Sequence, residues 1–153
     1  MTPLFKKLNY KAPADIVVIN APKSFEAESK AMIKVTAVKT AWPQSVDFVI
    51  GFGTKQKDVD AFATQSAALA STDAVIWFAY PKGTSKKYKC EFNRDTGWAK
   101  FGELGYEPVR QVAIDDDWSA LRFRRVENIK KMTRSFAMSE KGKEKVKSAK
   151  KGK

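Results

Sequence analysis

Three segments of this chain begin with an aspartate and continue as an unbroken apolar run rich in β-branched and aromatic residues. They are residues 15–19, 47–50 and 73–80. Continuous apolar runs, unlike alternating ones, are typical of strands that are buried on both faces, as in a parallel sheet covered by helices. The runs therefore predict an α/β fold.

Helical periodicity separates these runs. A 3.6-residue spacing predicts a helix over 55–70, with Thr54 as its N-cap and these positions on its buried face: Val59, Phe62, Ala63, Ser66, Leu69 and Ala70. Shorter helices are predicted at 25–30 and at 95–104, where Gly105 offers a left-handed stop. The alternating segment 32–38 predicts a peripheral strand, and the spacing over 126–136 predicts a last amphipathic helix.

The segments 109–115 and 118–126 predict an antiparallel hairpin that turns at Asp116 and Asp117. The hairpin sets two residues of the first strand opposite two of the second: Val112 and Ile114 opposite Leu121 and Ser119. Because Asp-Asp is a poor two-residue loop, a helix that begins at Asp117 stays open as an alternative. The element order predicts a three-layer sandwich with a mixed, mainly parallel sheet and a C-terminal antiparallel hairpin.

Length and charge divide the chain into one domain and a tail. A chain of 153 residues can bury the core of one domain. Residues 138–153 carry seven lysines against two glutamates with few apolar side chains, which predicts a disordered lysine-rich tail after a single domain at 1–137. The net charge is +12, so the domain is basic without the tail.

The chain shows no segment for membrane insertion or secretion. Its longest apolar run, 74–80, is far shorter than the about 20 residues of a membrane-spanning helix. The first residues reach Lys6 and Lys7 without an apolar signal region. A cytoplasmic protein without a membrane partner is therefore expected.

The absence of histidine excludes several kinds of chemistry. Without histidine the chain cannot build a Ser-His-Asp or Cys-His nucleophile, a His-ligated zinc site or a histidine general base. A single cysteine, Cys90, excludes an internal disulfide and a thiolate zinc cage, and an inert thiol is expected there rather than a reactive one. Three consecutive aspartates, 115–117, point in different directions and form a poor metal site. We therefore expect no metal, no cofactor and no catalytic residue.

Three loops after the buried runs each contain a lysine near the start of the next segment. Ligands of open α/β sheets bind beyond the carboxyl ends of the strands, and a lysine there opposes the helix dipole unless an anion accompanies it. This pattern predicts an anion site made of Asn20, Lys23, Thr54, Lys55, Lys82 and Thr84. The alternative is that abundant lysines are simply solvated at loop ends. The segment 51–55 also resembles a truncated phosphate-binding turn, but it lacks the full spacing of one.

Aromatic and cationic side chains alternate in the segment 80–90. Such a mixture can neutralise phosphates and stack on bases. Two arginines that lie two positions apart on a predicted strand share a face and could join them. The candidate nucleic-acid surface consists of Tyr80, Lys86, Lys87, Tyr88, Arg122 and Arg124. In the alternative interpretation the tyrosines pack back on the domain and the arginines pair with Asp115 and Asp117.

Three motifs carry a resemblance to a known family. They are Trp77-Phe-Ala-Tyr-Pro-Lys82, Asp95-Thr-Gly-Trp98 and Val112-Ala-Ile-Asp115-x-x-Trp118-Ser-Ala-Leu-Arg-Phe-Arg124. Over roughly residues 14–126 the chain resembles a small bacterial family known only as a domain of unknown function. The resemblance implies a short cytoplasmic bacterial α/β protein with no assigned activity, and it supplies no reaction.

Charge and composition favour one function over two others. The basic domain, the basic tail and the few catalytic side chains favour a non-catalytic cytoplasmic protein that binds a polyanion, with nucleic acid as the expected partner. One alternative is an enzyme or sensor that binds a phosphorylated small molecule at the carboxyl ends of the parallel strands, with Asp115 as acid or base. Another is a protein-interaction module that exposes the aromatic residues between Tyr80 and Tyr106. The sequence predicts no oligomeric state.

Overall fold

The structure, a computed structural model, describes residues 1–92 and 96–129. These residues contain four α-helices and six strands. The helices are α1 (Pro3–Lys7), α2 (Glu26–Ile33), α3 (Gln56–Leu69) and α4 (Ala99–Glu103). The strands are β1 (Ile16–Ile19), β2 (Val38–Lys39), β3 (Val46–Phe52), β4 (Ala70–Pro81), β5 (Tyr106–Ala113) and β6 (Trp118–Arg125). Single 3-10 turns lie at Lys23–Phe25 and Val126–Asn128.

The strands form one mixed sheet in the order β2-β1-β3-β4-β6-β5. The first four strands are parallel, and β6 runs antiparallel to both β4 and β5. The predicted α/β class, with a mainly parallel sheet and a C-terminal hairpin, is confirmed.

Each face of the sheet carries its own hydrophobic core, because side chains alternate between the faces along a strand. On the first face α1 contributes Phe5, the residue directly after α1 is Leu8, and α2 contributes Met32, all to one cluster. On the second face α3 and α4 contribute Phe62 and Phe101 to the other. The three layers are therefore helices, sheet and helices.

The helix predicted over 55–70 is confirmed as α3, but its cap differs. Thr54 does not cap the helix with its side chain; instead the backbone N–H groups of Thr54 and Lys55 donate to Asp58 Oδ2 at 3.3 and 3.2 Å. A carboxylate in the first turn also interacts favourably with the helix dipole. Thus the chain supplies its own anion at this helix start.

The strand predicted at 32–38 is wrong over most of its length. Helix α2 runs to Ile33, and only Val38–Lys39 pairs with the sheet. Met32 is fully buried, so its apolar side chain serves the helix face rather than a strand face. The sequence also missed α1, where Thr2 Oγ1 accepts the N–H of Phe5 at 3.2 Å.

The hairpin is confirmed and its turn is longer than two residues. Asp115 Oδ1 accepts the N–H groups of Asp117 and Trp118 at 2.8 and 2.9 Å. Strand β6 begins at Trp118, so no helix begins at Asp117. Because of this longer turn, the predicted pairing is wrong by one position: the structure pairs Val112 with Ala120 and Ala113 with Ser119.

Two predicted segments cannot be compared in full. The tail at 138–153 and most of the helix at 126–136 lie outside the described residues. No helix within 1–92 and 96–129 has the length and apolar character that crossing a bilayer requires.

An irregular start of β4 is joined to β6 by an ion pair. The register shifts between Val46 and Phe48, and Asp73 adopts a positive φ of 52° there. The Asp73 carboxylate accepts two hydrogen bonds from Arg124, at 3.0 Å from Nε and 2.6 Å from Nη2. The arginine is paired as one interpretation predicted, although Asp115 and Asp117 are not its partners.

We expect this pair to contribute measurable coupling energy. In a double-mutant cycle of Asp73→Asn and Arg124→Gln, the coupling should be about 1 kcal/mol, because the geometry is bidentate while both side chains stay partly exposed. Asparagine tolerates the positive φ, so the cycle isolates the ion pair. Urea unfolding measures the four stabilities.

The control cycle uses the exposed ion pair of Lys100 and Glu103, three positions apart, whose Nζ and Oε2 atoms are separated by 3.6 Å. Its coupling should be about 0.3 kcal/mol. Equal coupling in the two cycles contradicts the prediction.

Candidate functional site

The carboxyl ends of three adjacent parallel strands share one edge of the sheet. β1 ends at Ile19, β3 at Phe52 and β4 at Pro81, and register pairs join β1 to β3 and β3 to β4. The three predicted lysine loops therefore follow the same edge. This is the edge at which open α/β sheets bind ligands.

A cavity of about 800 Å³ opens at the carboxyl end of β4, and we call it the β4 cavity. Its volume falls inside the range of roughly 300–1,000 Å³ typical of small-molecule pockets. It is lined by residues 80–85, 88–92, 96, 111 and 119. Two residues of the predicted anion site, Lys82 and Thr84, are among them.

Side chains from three neighbouring strands are joined by hydrogen bonds in the wall of the β4 cavity. Gln111 Nε2 on β5 donates to Tyr80 Oη on β4 at 3.1 Å and to Ser119 Oγ on β6 at 3.0 Å. Tyr80 and Ser119 are buried, so these groups are held in place by the sheet. Sequence reasoning assigned no ligand role to Gln111 or Ser119, because a single polar residue on a strand carries no signal without its cross-strand neighbours.

The loop after β4 is attached to the hairpin turn. The N–H of Lys82 donates to the carbonyl of Asp117 at 2.8 Å, and Ser85 Oγ donates to Asp117 Oδ1 at 2.9 Å. Ser85 Oγ also accepts the N–H of Tyr88 at 3.2 Å. These bonds position the rim of the β4 cavity.

Glu91 connects the cavity wall to the start of α3. Its Oε2 accepts the N–H of Gln56 at 2.8 Å, and its own N–H donates to the carbonyl of Thr54 at 3.0 Å. Together with Asp58, it occupies the donors that an anion at Thr54 and Lys55 was expected to use. The anion-binding role of Thr54, Lys55 and Lys23 stays a prediction. The carboxylates of Asp58 and Glu91 argue against that role for Thr54 and Lys55.

A smaller crevice of about 260 Å³ lies between the ends of β1 and β3. The chain leaves β1 toward α2 on one face and leaves β3 toward α3 on the other, so this is the topological switch point of the sheet. We call it the switch crevice. It is lined by Ile19, Asn20, Trp42, Phe52, Asp58, Ala61, Phe62 and Gln65.

The predicted nucleic-acid residues do not form one surface. Tyr80 is only 3% exposed and packs against Phe92 and Trp98, so it cannot stack on a base. Tyr88 is half-buried and lies 4.9 Å from the ring of Trp118. The tyrosines thus pack back on the domain, which leaves Lys86 and Lys87 exposed without an aromatic platform.

The two arginines lie away from those lysines. Arg122 pairs with Trp77 in the register of β4 and β6, whereas Lys86 and Lys87 follow the far end of β4. Burial lowers the pKa of the Arg122 guanidinium, and the charges of Arg124 and Arg110 lower it further. Arg124 is already engaged by Asp73.

The aromatic residues between Tyr80 and Tyr106 do not form a docking surface. Trp98, Phe101 and Tyr106 are buried, as is Tyr80 itself. Phe92 is buried as well, and Tyr88 is half-buried against Trp118. The interpretation as an interaction module that exposes these rings is therefore wrong.

The three consecutive aspartates serve the hairpin turn. Asp115 accepts backbone N–H groups and Asp117 accepts the Ser85 hydroxyl. Asp115 does not line the β4 cavity, so its predicted role as acid or base finds no support there. Among residues 1–92 and 96–129, no group of three His, Cys, Asp or Glu side chains could hold a metal ion.

Cys90 lines the β4 cavity as a free, half-buried thiol. Burial raises its pKa, the backbone N–H of Phe92 lowers it, and the negative charge of Glu91 raises it again. At pH 8 we therefore expect a smaller thiolate fraction, and a slower reaction with a disulfide reagent, than for an unhindered cysteine. The reaction rate should keep rising with pH above the value at which an ordinary thiol levels off.

The control for Cys90 is the same protein unfolded in urea, where the thiol regains its ordinary pKa. Native and unfolded rates that match after correction for urea would contradict the prediction.

Solved structures of similar fold include methyltransferases. A SAM-dependent methyltransferase from Aquifex aeolicus matches with a TM-score of 0.53 at 10% identity, over 79% of this chain and 87% of that one. The N-methyltransferase NodS from Bradyrhizobium japonicum WM9 matches with a TM-score of 0.51 at 10% identity, over 80% of this chain and 91% of that one. No protein-family model and no curated protein matches the chain. The likeness shows that this chain shares the mixed α/β fold of these two proteins.

These comparisons correct the functional expectation. The chain was expected to be a non-catalytic nucleic-acid-binding protein rather than an enzyme, but these fold neighbours are described as methyltransferases. Both expectations are therefore wrong, and the shared fold by itself does not indicate nucleic acid as the partner. The resemblance to a family of unknown function stays a prediction.

Proposed function

We propose that this chain is an enzyme that binds a small anionic molecule, such as a phosphorylated metabolite, in the β4 cavity. The observation that carries the proposal is a cavity of about 800 Å³ at the ligand-binding edge of a methyltransferase-type sheet, with polar groups from three strands fixed in its wall. The cytoplasmic location expected from the sequence remains part of the proposal.

The charges around the β4 cavity favour an anion. Lys82 and Lys89 line it, and the carboxylate there, Glu91, already accepts the N–H of Gln56. Two lysines against one carboxylate leave a net charge of +1 among the described lining residues. A phosphate or carboxylate gains charge-assisted hydrogen bonds from such lysines.

The remaining lining suits a ligand with a planar or apolar body. The side chains of Tyr88 and Phe92 provide aromatic surface, while Gln111 and Thr84 provide hydrogen-bonding groups. Both N–H bonds of Gln111 Nε2 are directed to Tyr80 and Ser119, so its side-chain carbonyl oxygen can accept a hydrogen bond from a ligand. Pockets of this kind combine apolar walls with a few polar groups that orient the ligand.

The cavity also contains groups that can move a proton. Lys82 is half-buried at the rim, and the Tyr80 hydroxyl lies in the wall. Lysine and tyrosine both serve as general acids or bases when a substrate group comes within hydrogen-bond distance. These two are the candidate catalytic residues of the proposed enzyme.

A thermal-shift screen with phosphorylated metabolites tests the proposal. A ligand at 100 times its dissociation constant should stabilise the protein by about 2.7 kcal/mol. Lys82→Ala should weaken the binding of any hit at least tenfold, because a hydrogen bond to a charged group contributes about 1.5–3 kcal/mol.

The matched control is Lys34→Ala, which removes an exposed lysine at the end of α2, away from the cavity. It should leave binding unchanged. The proposal fails if no metabolite raises the melting temperature, or if Lys82→Ala and Lys34→Ala bind a hit equally well.

A further inference from the structure

We infer that this chain uses the methyltransferase-type sheet without binding the S-adenosylmethionine cofactor of its fold neighbours. A nucleoside cofactor at a switch point needs a glycine in the turn after the first strand, for close backbone approach. It also needs a carboxylate after the second strand, for the ribose hydroxyls, and enough space between the strand ends. The described structure lacks all three.

The turn after β1 is built for packing and not for close approach of a ligand. It reads Asn20-Ala21-Pro22-Lys23 and contains no glycine. Asn20, which has a side chain, adopts the positive φ of 57° in this turn. Pro22 has no backbone N–H that could donate to a ligand. The helix that follows carries Glu26 and Glu28 in its first turn, which disfavours the carboxylate of a methionine group there.

The end of β2 has no carboxylate, which a ribose needs there. The strand ends at Lys39, whose Nζ pairs with Asp15 Oδ2 at 3.1 Å. The next residues, Thr40, Ala41 and Trp42, include no acid. Thus no carboxylate follows this strand to accept hydrogen bonds from a pair of ribose hydroxyls.

Aromatic side chains occupy the space around the switch point. Phe25, only 2% exposed, lies 4.9 Å from the ring of Phe52, and Phe52 in turn lies 5.4 Å from Trp118. On the other face, Trp42 lies 5.5 Å from Phe62. The switch crevice that remains, about 260 Å³, is smaller than the roughly 300–1,000 Å³ of ordinary ligand pockets.

These observations assign different roles to the two openings at this edge. The β4 cavity has the volume and the fixed polar groups for a ligand, whereas the switch crevice is reduced by packing. The inference does not rest on the proposed anionic ligand, because it concerns the turn after β1 and the end of β2.

Isothermal titration of the full chain with S-adenosylmethionine and S-adenosylhomocysteine tests the inference. Up to about 1 mM of either ligand we expect no saturable heat and no change in melting temperature. A ligand with a dissociation constant of 10 μM would add about 2.7 kcal/mol at that concentration. A methyltransferase known to bind both compounds, titrated in parallel, verifies the ligands. Native mass spectrometry of the purified chain should likewise show no bound adenosyl compound.

Saturable binding of either compound, with a dissociation constant below about 1 mM, overturns the inference. If Lys82→Ala abolishes that binding, the compound occupies the β4 cavity, and the proposal of a small-molecule site there survives in modified form. If Lys82→Ala leaves it unchanged, the switch point holds the cofactor. The proposed function is judged separately, by the metabolite screen.

Discussion

Replacing Trp98 by alanine should destabilise the domain by about 3–5 kcal/mol, as expected for removal of a fully buried indole. Trp98 is 1% exposed, and its ring lies within 5.1–6.0 Å of four others: Phe78, Tyr80, Phe92 and Phe123. Such a loss is a large share of the roughly 5–15 kcal/mol that stabilises a typical domain. Urea unfolding followed by circular dichroism measures it.

The same change at a half-exposed position provides the control. Trp42 lies at the switch crevice and contacts one ring, so Trp42→Ala should cost far less than Trp98→Ala. Trp98 also packs against Tyr80 and Phe92, which line the β4 cavity, so its loss should weaken ligand binding as well. Similar costs at Trp98 and Trp42 would show that the four-ring contact contributes little.

Trp77→Ala is expected to have a comparably large effect, about 3–5 kcal/mol, for a different combination of reasons. Trp77 has no exposed surface, and its Nε1 donates to the carbonyl of Leu8 at 2.8 Å. The side chain thus fills the core on the first face and connects α1 to the centre of the sheet.

The conservative variant Trp77→Phe separates packing from the hydrogen bond. Phenylalanine retains a ring but leaves the buried Leu8 carbonyl without this donor, which should cost about 1–3 kcal/mol. Equilibrium unfolding of wild type and both variants gives the two contributions. If Trp77→Phe is as stable as wild type, the bond to Leu8 does not hold α1 in place.

Strong local patterns predicted the central part of the fold. The three apolar runs are β1, β3 and β4 in the structure, and the segment 55–70 is α3. They were predictable because the spacing of apolar residues in each segment fits only one kind of element. The segment 32–38 failed because a short run of alternating residues can also cover one side of a helix end, as Met32 does. The hairpin register failed because the side chain of Asp115, not a two-residue loop, determines the turn.

The candidate site was only partly predictable. The sequence placed lysines at the right edge of the sheet, since parallel strands bring their loops together. It could not show that Asp58 and Glu91 accept hydrogen bonds from the N–H groups at the start of α3. Glu91, for example, is 35 positions away from Gln56, whose N–H it accepts. Nor could it pair Gln111 with Tyr80 and Ser119, which meet only across β5, β4 and β6.

The chain's own order of residues determined the α/β class, the mainly parallel sheet and the chemistry excluded by the absence of histidine. These follow from local periodicity and from residue types, which need no knowledge of distant contacts. Tertiary structure alone decided that Tyr80 is buried, that Arg124 is paired with Asp73, and that the space at the strand ends opens beside β4 and not at the switch point. Such outcomes depend on which side chains, far apart in the chain, come to fill the same volume.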